Sequence, residues 1–286
     1  MKQHRIIWYI TLGAVLVAAL VLTNRKVGDN GSGTASRSAT PEERVLIANM
    51  MALVKEDPPV EKAETLTAVR LVADLAASGG LTTAETHYAL GLARMAEKAF
   101  GAAETAFRNA IECKPDWSWP HNGLGILLAN HAKNRQQEAE TEFRTAIRLD
   151  PQWSRPYNDL GILLRMMGRL DEAEENALTS LRLDPDSVAA RNNYGNLLVV
   201  RKQFDKAEPE YRDAIQRDPN HPKPYYNLAC LYSLQGRAAD AVPLLAKAIA
   251  LNPTLREDAQ RDADFDPIRN DHQFQELVRP PQSPQK

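Results

Sequence analysis

Residues 154–187 read SRPYNDLGILLRMMGRLDEAEENALTSLRLDPDS, and residues 188–221 read VAARNNYGNLLVVRKQFDKAEPEYRDAIQRDPNH. The second stretch follows the first without a gap, and glycine, alanine and proline recur at the same three positions in both. The pairs are Gly161 and Gly195, Ala173 and Ala207, and Pro185 and Pro219. A fixed period of roughly 20–50 residues indicates a protein that is built from structural repeats. The period of 34 residues is therefore the first guide to the fold.

The same period extends to both sides of these two stretches. Prolines recur at intervals of 36, 34, 34 and 34 residues, at Pro115, Pro151, Pro185, Pro219 and Pro253. Alanine stands twelve residues before each proline, at Ala103, Ala139, Ala173, Ala207 and Ala241. The residues eight before each proline are Phe107, Phe143, Ala177, Tyr211 and Leu245. A small residue stands in the first half of each copy, at Gly91, Gly125, Gly161, Gly195 and Ala229.

This arrangement of small and large positions predicts a pair of antiparallel helices in each copy. Glycine or alanine in the first helix and alanine in the second allow the two helices to approach closely. Larger side chains fill the space beside them, and the proline ends the second helix because it cannot continue a helix. Each hairpin buries its apolar face only against its neighbours, so we expect the copies to stack.

These recurrent positions resemble the tetratricopeptide repeat (TPR) family over roughly residues 84 to 255. The resemblance implies an all-α fold, a right-handed α-solenoid of TPR helical hairpins with a groove that is lined by the first helices. The five repeats are predicted at 84–117, 118–153, 154–187, 188–221 and 222–255. The second repeat has two extra residues, which we expect in the turn at 131–137, because a turn absorbs an insertion at little cost.

An uncharged apolar segment lies near the N-terminus, at residues 6–22, with the sequence IIWYITLGAVLVAALVL. As a helix, its 17 residues would extend about 25 Å, at the short end of what spans a bilayer. A cleaved secretory signal is the alternative, but bulky residues stand where a cleavage site needs small ones. We therefore expect residues 1–23 to be a transmembrane anchor that is not cleaved, followed by a flexible linker at 24–40 that is rich in glycine and serine.

The charges that flank this single-pass anchor give a weak indication of its orientation. Lys2 and Arg5, with the terminal amine, stand on one side, and Arg25 and Lys26 stand on the other. An N-terminal anchor ahead of a long soluble domain more often leaves that domain outside the cytoplasm. An extracytoplasmic (periplasmic) location is therefore expected for the repeats.

Two flanking regions do not keep the repeat register. Residues 41–80 are predicted to form an N-terminal helical cap, in which Thr40 caps the first helix and Pro41 occupies its first position. The same region is a predicted surface for homo-oligomer formation. Residues 256–286 resemble the segment that closes TPR arrays in bacterial proteins, and they are predicted to form a C-terminal cap helix and a disordered tail.

The composition and the motifs do not indicate catalysis. The 35 basic and 37 acidic residues are nearly balanced, which argues against a nucleic-acid-binding protein. Cys113 and Cys230 do not form a CxxC motif, and we expect both thiols to be unpaired. The six histidines lack HxxxH spacing, and the GxxxxGK[ST], GxGxxG and GxSxG motifs are absent. We therefore predict no catalytic, cofactor-binding or metal-binding residue, and a protein that is not an enzyme.

The predicted groove is the expected site for a partner. Its candidate residues are Trp119, Asn122, Arg155, Asn158, Asp159, Arg165, Asn192, Asn193, Asn196, Lys223, Tyr226 and Asn227. Asparagine recurs among them, and a side-chain amide can donate to and accept from a peptide backbone at the same time. Some TPR proteins hold a peptide with a similar asparagine ladder, but asparagines that only bridge adjacent helices would give the same pattern.

A second mode of binding in the family is a carboxylate clamp, with which some TPR domains hold the C-terminal carboxylate of a chaperone. This clamp needs lysine at the fifth position of a repeat. The fifth positions here are Tyr88, Asn122, Asn158, Asn192 and Tyr226. Capture of a chaperone C-terminus is therefore not expected.

The anchor and the repeat array together predict a non-catalytic scaffold that is tethered to a membrane. It would hold a protein or peptide partner in the groove during an envelope assembly process, since bacterial proteins of similar architecture assist cytochrome maturation, pilus assembly or secretion. The alternative is a regulatory accessory subunit that localises an enzyme at the membrane. One stoichiometric enzyme partner would favour the alternative, and several envelope clients would favour the scaffold.

Overall fold

The computed structural model describes residues 38–56, 63–79 and 81–279, and every regular element among them is helical. The chain divides into one unit that ends at Asp150 and a second that begins at Pro151. The first unit contains α1 (Pro41–Glu56), α2 (Ala63–Gly79), α3 (Ala84–Ala96), α4 (Phe100–Cys113), α5 (Ser118–His131) and α6 (Gln136–Leu149). The second contains α7 (Ser154–Met166), α8 (Leu170–Leu183), α9 (Val188–Val200), α10 (Phe204–Arg217), α11 (Pro222–Leu234), α12 (Ala238–Leu251), α13 (Leu255–Arg261), a 3₁₀ helix (Ala263–Ile268) and α14 (His272–Val278). The predicted all-α class is confirmed.

In the first unit, helix α3 packs against α4, and helix α5 packs against α6. A Cβ atom added at Gly91 would lie 2.5 Å from Cε1 of Phe107. One added at Gly125 would lie 2.6 Å from Cε1 of Phe143. Because Cβ atoms do not approach other carbons so closely, glycine is what allows each ring to lie against the first helix of its hairpin. The predicted packing of large residues against small ones is therefore confirmed in this unit.

The second unit has three hairpins, which are formed by α7 and α8, α9 and α10, and α11 and α12. A Cβ atom at Gly195 would lie 2.6 Å from the ring of Tyr211, as in the first unit. The hairpin of α7 and α8 differs, because Ala177 stands where the others carry a larger side chain. The nearest atom to a Cβ at Gly161 is the backbone oxygen of Ala173, at 3.3 Å. The third repeat therefore lacks the ring that fills this space in its neighbour.

The turn between the two helices of each hairpin contains one residue with positive φ. These residues are Lys98, Asn134, Gly168, Lys202 and Gly236. In several of these turns a backbone N–H bonds to the oxygen five residues earlier, as from Arg169 to Leu164 at 2.9 Å and from Gln203 to Leu198 at 2.8 Å. This bond satisfies a carbonyl that the end of the first helix would otherwise leave without a partner.

Helix α1, the first of the N-terminal helices, has the N-cap residue that the sequence predicts. The backbone N–H of Thr40 donates to Oε2 of Glu43 at 2.9 Å, and the N–H of Glu43 donates back to the Thr40 hydroxyl at 3.3 Å. These reciprocal bonds form a capping box, and helix α1 starts at Pro41 as the sequence predicts. Helix α1 packs on α2, which packs on α3.

The C-terminal segment covers the last hairpin, but it is not one helix. Helix α13, the 3₁₀ helix and α14 bury Phe265, Ile268 and Phe274 against α11 and α12. The helices are short because Asp262 and Asp271 each cap a new element and Pro267 lies within the 3₁₀ turn. Three elements thus take the place of the predicted cap helix.

Several predictions concern residues outside the described ranges. The anchor at 1–23, most of the linker at 24–40 and the tail at 280–286 are among them. In the ranges that the structure does describe, no helix has both the length and the apolar character that crossing a bilayer requires.

Candidate functional site

The candidate site of the second unit lies on the first helices of its three hairpins. Here we use the name amide face for the surface of α7, α9 and α11 that carries Asn158, Arg165, Asn193, Asn196 and Asn227. Each of these side chains is partly exposed. Helices α7 and α9 are in contact, and so are α9 and α11, which brings their side chains within reach of one another.

Asparagine side chains bridge these neighbouring helices. The Nδ2 atom of Asn193 donates to Oδ1 of Asn158 at 3.0 Å, and Nδ2 of Asn227 donates to Oδ1 of Asn192 at 2.8 Å. The Nδ2 atom of Asn158 donates in turn to Oδ1 of Asp159 at 3.1 Å. The bridging role that the sequence leaves open is therefore present. Each amide nitrogen carries two hydrogens, so one N–H of each remains beyond these bonds.

The charged candidates on α7 behave differently from each other. Arg155 pairs with Asp159, with 3.3 Å between Nε and Oδ2, and both side chains are largely buried. Arg165, further along the same helix, forms no ion pair within the described residues. Its positive charge is therefore not neutralised by a direct carboxylate contact in this part of the chain.

Two tyrosines donate hydrogen bonds at the end of the amide face that is nearest the C-terminus. The hydroxyl of Tyr211 donates to Oδ1 of Asn196 at 2.7 Å, and the hydroxyl of Tyr226 donates to Oδ2 of Asp262 at 2.9 Å. Burial raises the pKa of both tyrosines well above the ordinary value, so they remain neutral donors. Lys223 lies nearby in the sequence and is exposed.

The remaining candidates are less accessible to a partner. Asn122 and Asn192 are buried, with 2% and 4% of their surface exposed. Trp119, in the first unit, is half-buried and packs with Tyr88 and Trp117, at centroid distances of 6.1 and 6.0 Å. A direct contact of these three side chains with a partner stays a prediction.

A small notch opens beside the amide face in the third repeat. Its walls include Asn158, Gly161, Arg165, Ala173, Ala177 and Asn193, and its volume is about 10 Å³. That volume is close to what one water-sized group needs. Ala177 was not predicted as a site residue, although the missing large side chain at this position of the repeat is a signal in the sequence that could have identified it.

One group of side chains has the composition of a metal site. The ligand atoms of Cys230, Asp262 and Asp264 lie within 4.8 Å of one another. Hydrogen bonds within the fold explain this grouping, because Asp262 accepts from Tyr226 and, at 3.0 Å, from the backbone N–H of Asp264. Burial raises the pKa of the Cys230 thiol, which disfavours the thiolate that a metal would require. Cys113 and Cys230 are both free, as predicted.

Comparison with known proteins supports the repeat family. Residues 158–222 and residues 210–242 match two family models, both described as tetratricopeptide repeat. No curated protein matches the chain in sequence.

The fold is similar to that of several solved structures. The TPR protein TTC0263 of Thermus thermophilus is 22% identical with a TM-score of 0.56, over 62% of this chain and 96% of that one. PilF of Pseudomonas aeruginosa is 17% identical with a TM-score of 0.55, over 80% of this chain and 96% of that one. A chain of the APC/C hetero-tetramer Cut9–Hcn1 is 15% identical with a TM-score of 0.63, over 82% of this chain and 48% of that one. At these identities the likeness establishes the all-α, TPR-type repeat fold.

Proposed function

We propose that the chain is a scaffold that holds an extended polypeptide on the amide face, because it carries tetratricopeptide repeats over residues 158–242. TPR proteins generally act as scaffolds for protein interactions, and no feature of the described residues indicates catalysis. The observation that carries the proposal is the set of asparagine side chains that bridge α7, α9 and α11.

The chemistry of these amides suits a peptide backbone. An extended chain presents N–H and C=O groups at intervals of about 3.3 Å, and an asparagine can bond to either group. Asn158 and Asn193 are already held by their mutual bond, so a ligand does not need to order them. Side chains that are ordered before binding lower the entropic cost of association. The bridging bonds therefore support ligand binding rather than compete with it.

The predicted anchor gives this scaffold its proposed place in the cell. Residues 6–22 would tether the chain to a membrane, with the repeats on the extracytoplasmic side, where they would hold a partner during envelope assembly. The support for this part is the charge-free apolar segment in the sequence.

Site-specific photocrosslinking in the full-length protein tests the binding face. We would place the crosslinker at Ile162, which lies on α7 beside Asn158 and leaves the bridging amides intact. The control position is Glu175, which is exposed on α8. Mass spectrometry of the adducts should identify one dominant partner from position 162 and no such partner from position 175.

Two further comparisons determine how the crosslinks are interpreted. Replacing Asn158 and Asn193 together by alanine should preserve the helical signal in circular dichroism and reduce the adduct from position 162 at least about tenfold. An undiminished adduct would return the asparagines to a purely structural role. No adduct at position 162, with crosslinks only from α1 and α2, would overturn the proposal and place the contact on the N-terminal helices.

A further inference from the structure

The notch in the third repeat exists because one repeat lacks a large side chain. In the second unit, the ring of Tyr211 occupies the corresponding space in the fourth repeat, and Leu245 is fully buried at that position in the fifth. Ala177 places no large side chain here, so the backbone of α8 lies close to Gly161 and a notch of about 10 Å³ remains beside it. The gap opens at the amide face, since Asn158 and Asn193 form part of its wall.

The wall of the notch combines an apolar floor with a cationic edge. Gly161, Ala173 and Ala177 contribute only backbone and methyl surface, whereas Arg165 contributes a guanidinium group. Arg155 on the same helix pairs with Asp159, but Arg165 has no such partner among the described residues. A guanidinium group binds a carboxylate through parallel N–H···O bonds. The ligand that fits this combination is an anion on a short carbon stem.

The size of the notch narrows the choice further. A volume of about 10 Å³ admits a methylene or one small polar group, and it does not admit an aromatic ring. A carboxylate at Arg165 with its adjoining methylene in the notch satisfies both the charge and the volume. In a polypeptide, this group occurs on an acidic side chain and at the C-terminus.

We propose that the notch formed by Ala177, Gly161 and Arg165 is a specificity pocket for a carboxylate group of the polypeptide that the amide face holds. The inference rests on the proposed function. In this arrangement the asparagines bind the backbone without regard to sequence, and the notch selects segments with an acid in the correct register. The position of Ala177 in the third repeat therefore fixes where the ligand's acid lies along the face.

Fluorescein-labelled decapeptides of alanine and serine provide the probe for the full-length protein. The first has one central glutamate and a blocked C-terminus, the second has glutamine in its place, and the third has no acidic side chain but a free C-terminal carboxylate. In fluorescence anisotropy, the glutamate peptide should bind at least about tenfold more tightly than the glutamine peptide. The third peptide shows whether a terminal carboxylate can replace the side chain.

Two variants assign this preference to the notch. Ala177→Phe restores the large residue that the neighbouring repeats carry, and Arg165→Gln removes the charge. Both should lower the affinity for the glutamate peptide about tenfold, so that the protein no longer distinguishes it from the glutamine peptide. Leu178→Phe is the matched control for Ala177→Phe. Leu178 lies next to Ala177 on α8 and is 47% exposed, so its replacement should alter neither affinity.

Opposite outcomes would overturn the inference. Equally weak binding of all three peptides, or an unchanged preference for the carboxylate in both Ala177→Phe and Arg165→Gln, would show that the notch does not select a carboxylate. These results are distinct from failure of the proposed function. If the notch is idle while the face still binds, the crosslinks from position 162 persist, whereas failure of the face itself would abolish them.

Discussion

At the scale of single residues, the size of the side chain opposite the glycine of the first helix decides whether a hairpin is filled by a ring or borders a notch. Gly195 accommodates the buried ring of Tyr211, whose hydroxyl then bonds to Asn196 on the amide face. Gly161 faces no ring, because Ala177 is small. The same glycine in two repeats therefore serves tight packing in one case and borders an open notch in the other.

This contrast predicts different stabilities for two identical substitutions. Gly195→Ala should destabilise the protein by about 1–3 kcal/mol, because the added Cβ would lie 2.6 Å from the ring of Tyr211. Gly161→Ala should cost less than Gly195→Ala, because its nearest contact is the backbone oxygen of Ala173 at 3.3 Å and alanine gains roughly 1 kcal/mol in helix propensity over glycine. Urea unfolding followed by circular dichroism measures both free energies.

The outcome also tests the origin of the notch. Gly161→Ala in an Ala177→Phe background should be as costly as Gly195→Ala, because the new ring would occupy the space beside the added methyl. If the two single substitutions were equally destabilising, the packing in the third and fourth repeats would not differ in the way described.

The sequence predicted small-on-large packing correctly because that packing depends on residues whose spacing is fixed by helix geometry. The role of the asparagines could not be decided in the same way. Asn158 and Asn193 are 35 residues apart, and whether their amides meet depends on how α7 and α9 pack. The notch was missed for a related reason, since the volume left by Ala177 depends on how far the neighbouring helices close around it.

At the scale of elements, a network of ion pairs joins two hairpins of the first unit. Arg135, in the turn before α6, pairs with Glu104 of α4 at 2.8 Å and with Glu138 at 2.8 Å. Arg108 of α4 also pairs with Glu138, at 2.5 Å. The hydrogen bond from Arg135 is the main cause that lowers the pKa of Glu104 and of Glu138 from the ordinary value of a glutamate.

The direction of these shifts fixes the pH dependence of stability. Because the folded pKa values of Glu104 and Glu138 lie below their unfolded values, their contribution is fully present above about pH 4.5 and is lost as the pH falls through the folded values. The loss should be at most about 1 kcal/mol, since the groups are partly exposed to solvent and are screened. Urea unfolding between pH 6 and pH 3 measures it.

Arg135→Gln is the variant that isolates this network. It should lower the free energy of unfolding at pH 6 and flatten its decline on acidification, because Glu104 and Glu138 then titrate closer to their ordinary pKa values. Arg148→Gln, at an exposed position on α6, is the control and should leave the profile unchanged. An identical decline in wild type and Arg135→Gln would show that other carboxylates cause the acid sensitivity.

The C-terminal elements show what a repeat pattern cannot specify. The sequence predicted a single helix over the last hairpin, whereas Asp262 and Asp271 begin separate elements and bend the chain so that Phe265 and Phe274 enter one apolar cluster. The capping residues were visible in the sequence. Their effect could not be predicted, because aspartate is also common on exposed helical surfaces. Only the burial of the two rings shows that these aspartates cap new elements.

At the scale of the whole molecule, the proposed role requires the repeats and a tether to act together. A scaffold that recognises a partner through an extended segment of a few residues gains little affinity from each contact. Confinement to a membrane surface raises the local concentration of scaffold and partner and compensates for weak binding. The predicted segment at 6–22 is therefore part of the binding proposal as well as a proposal about location.

Leu16→Arg tests that segment in the full-length protein. A charge at the centre of a spanning helix costs about 2.5–3.5 kcal/mol, so the variant should shift from the carbonate-resistant membrane fraction to the soluble fraction, whereas Leu16→Ile should not.

Two measurements on the wild-type protein test cleavage and orientation. Mass spectrometry should show that residues 1–23 are retained, and protease added to intact spheroplasts should digest the repeats. Loss of those residues would identify a cleaved signal, and repeats that resist the protease until the membrane is lysed would place them in the cytoplasm. A cleaved signal would mean that the scaffold binds its partner without a tether. A cytoplasmic location would mean that the partner is a cytoplasmic protein. The chemistry of the amide face would be the same in both cases.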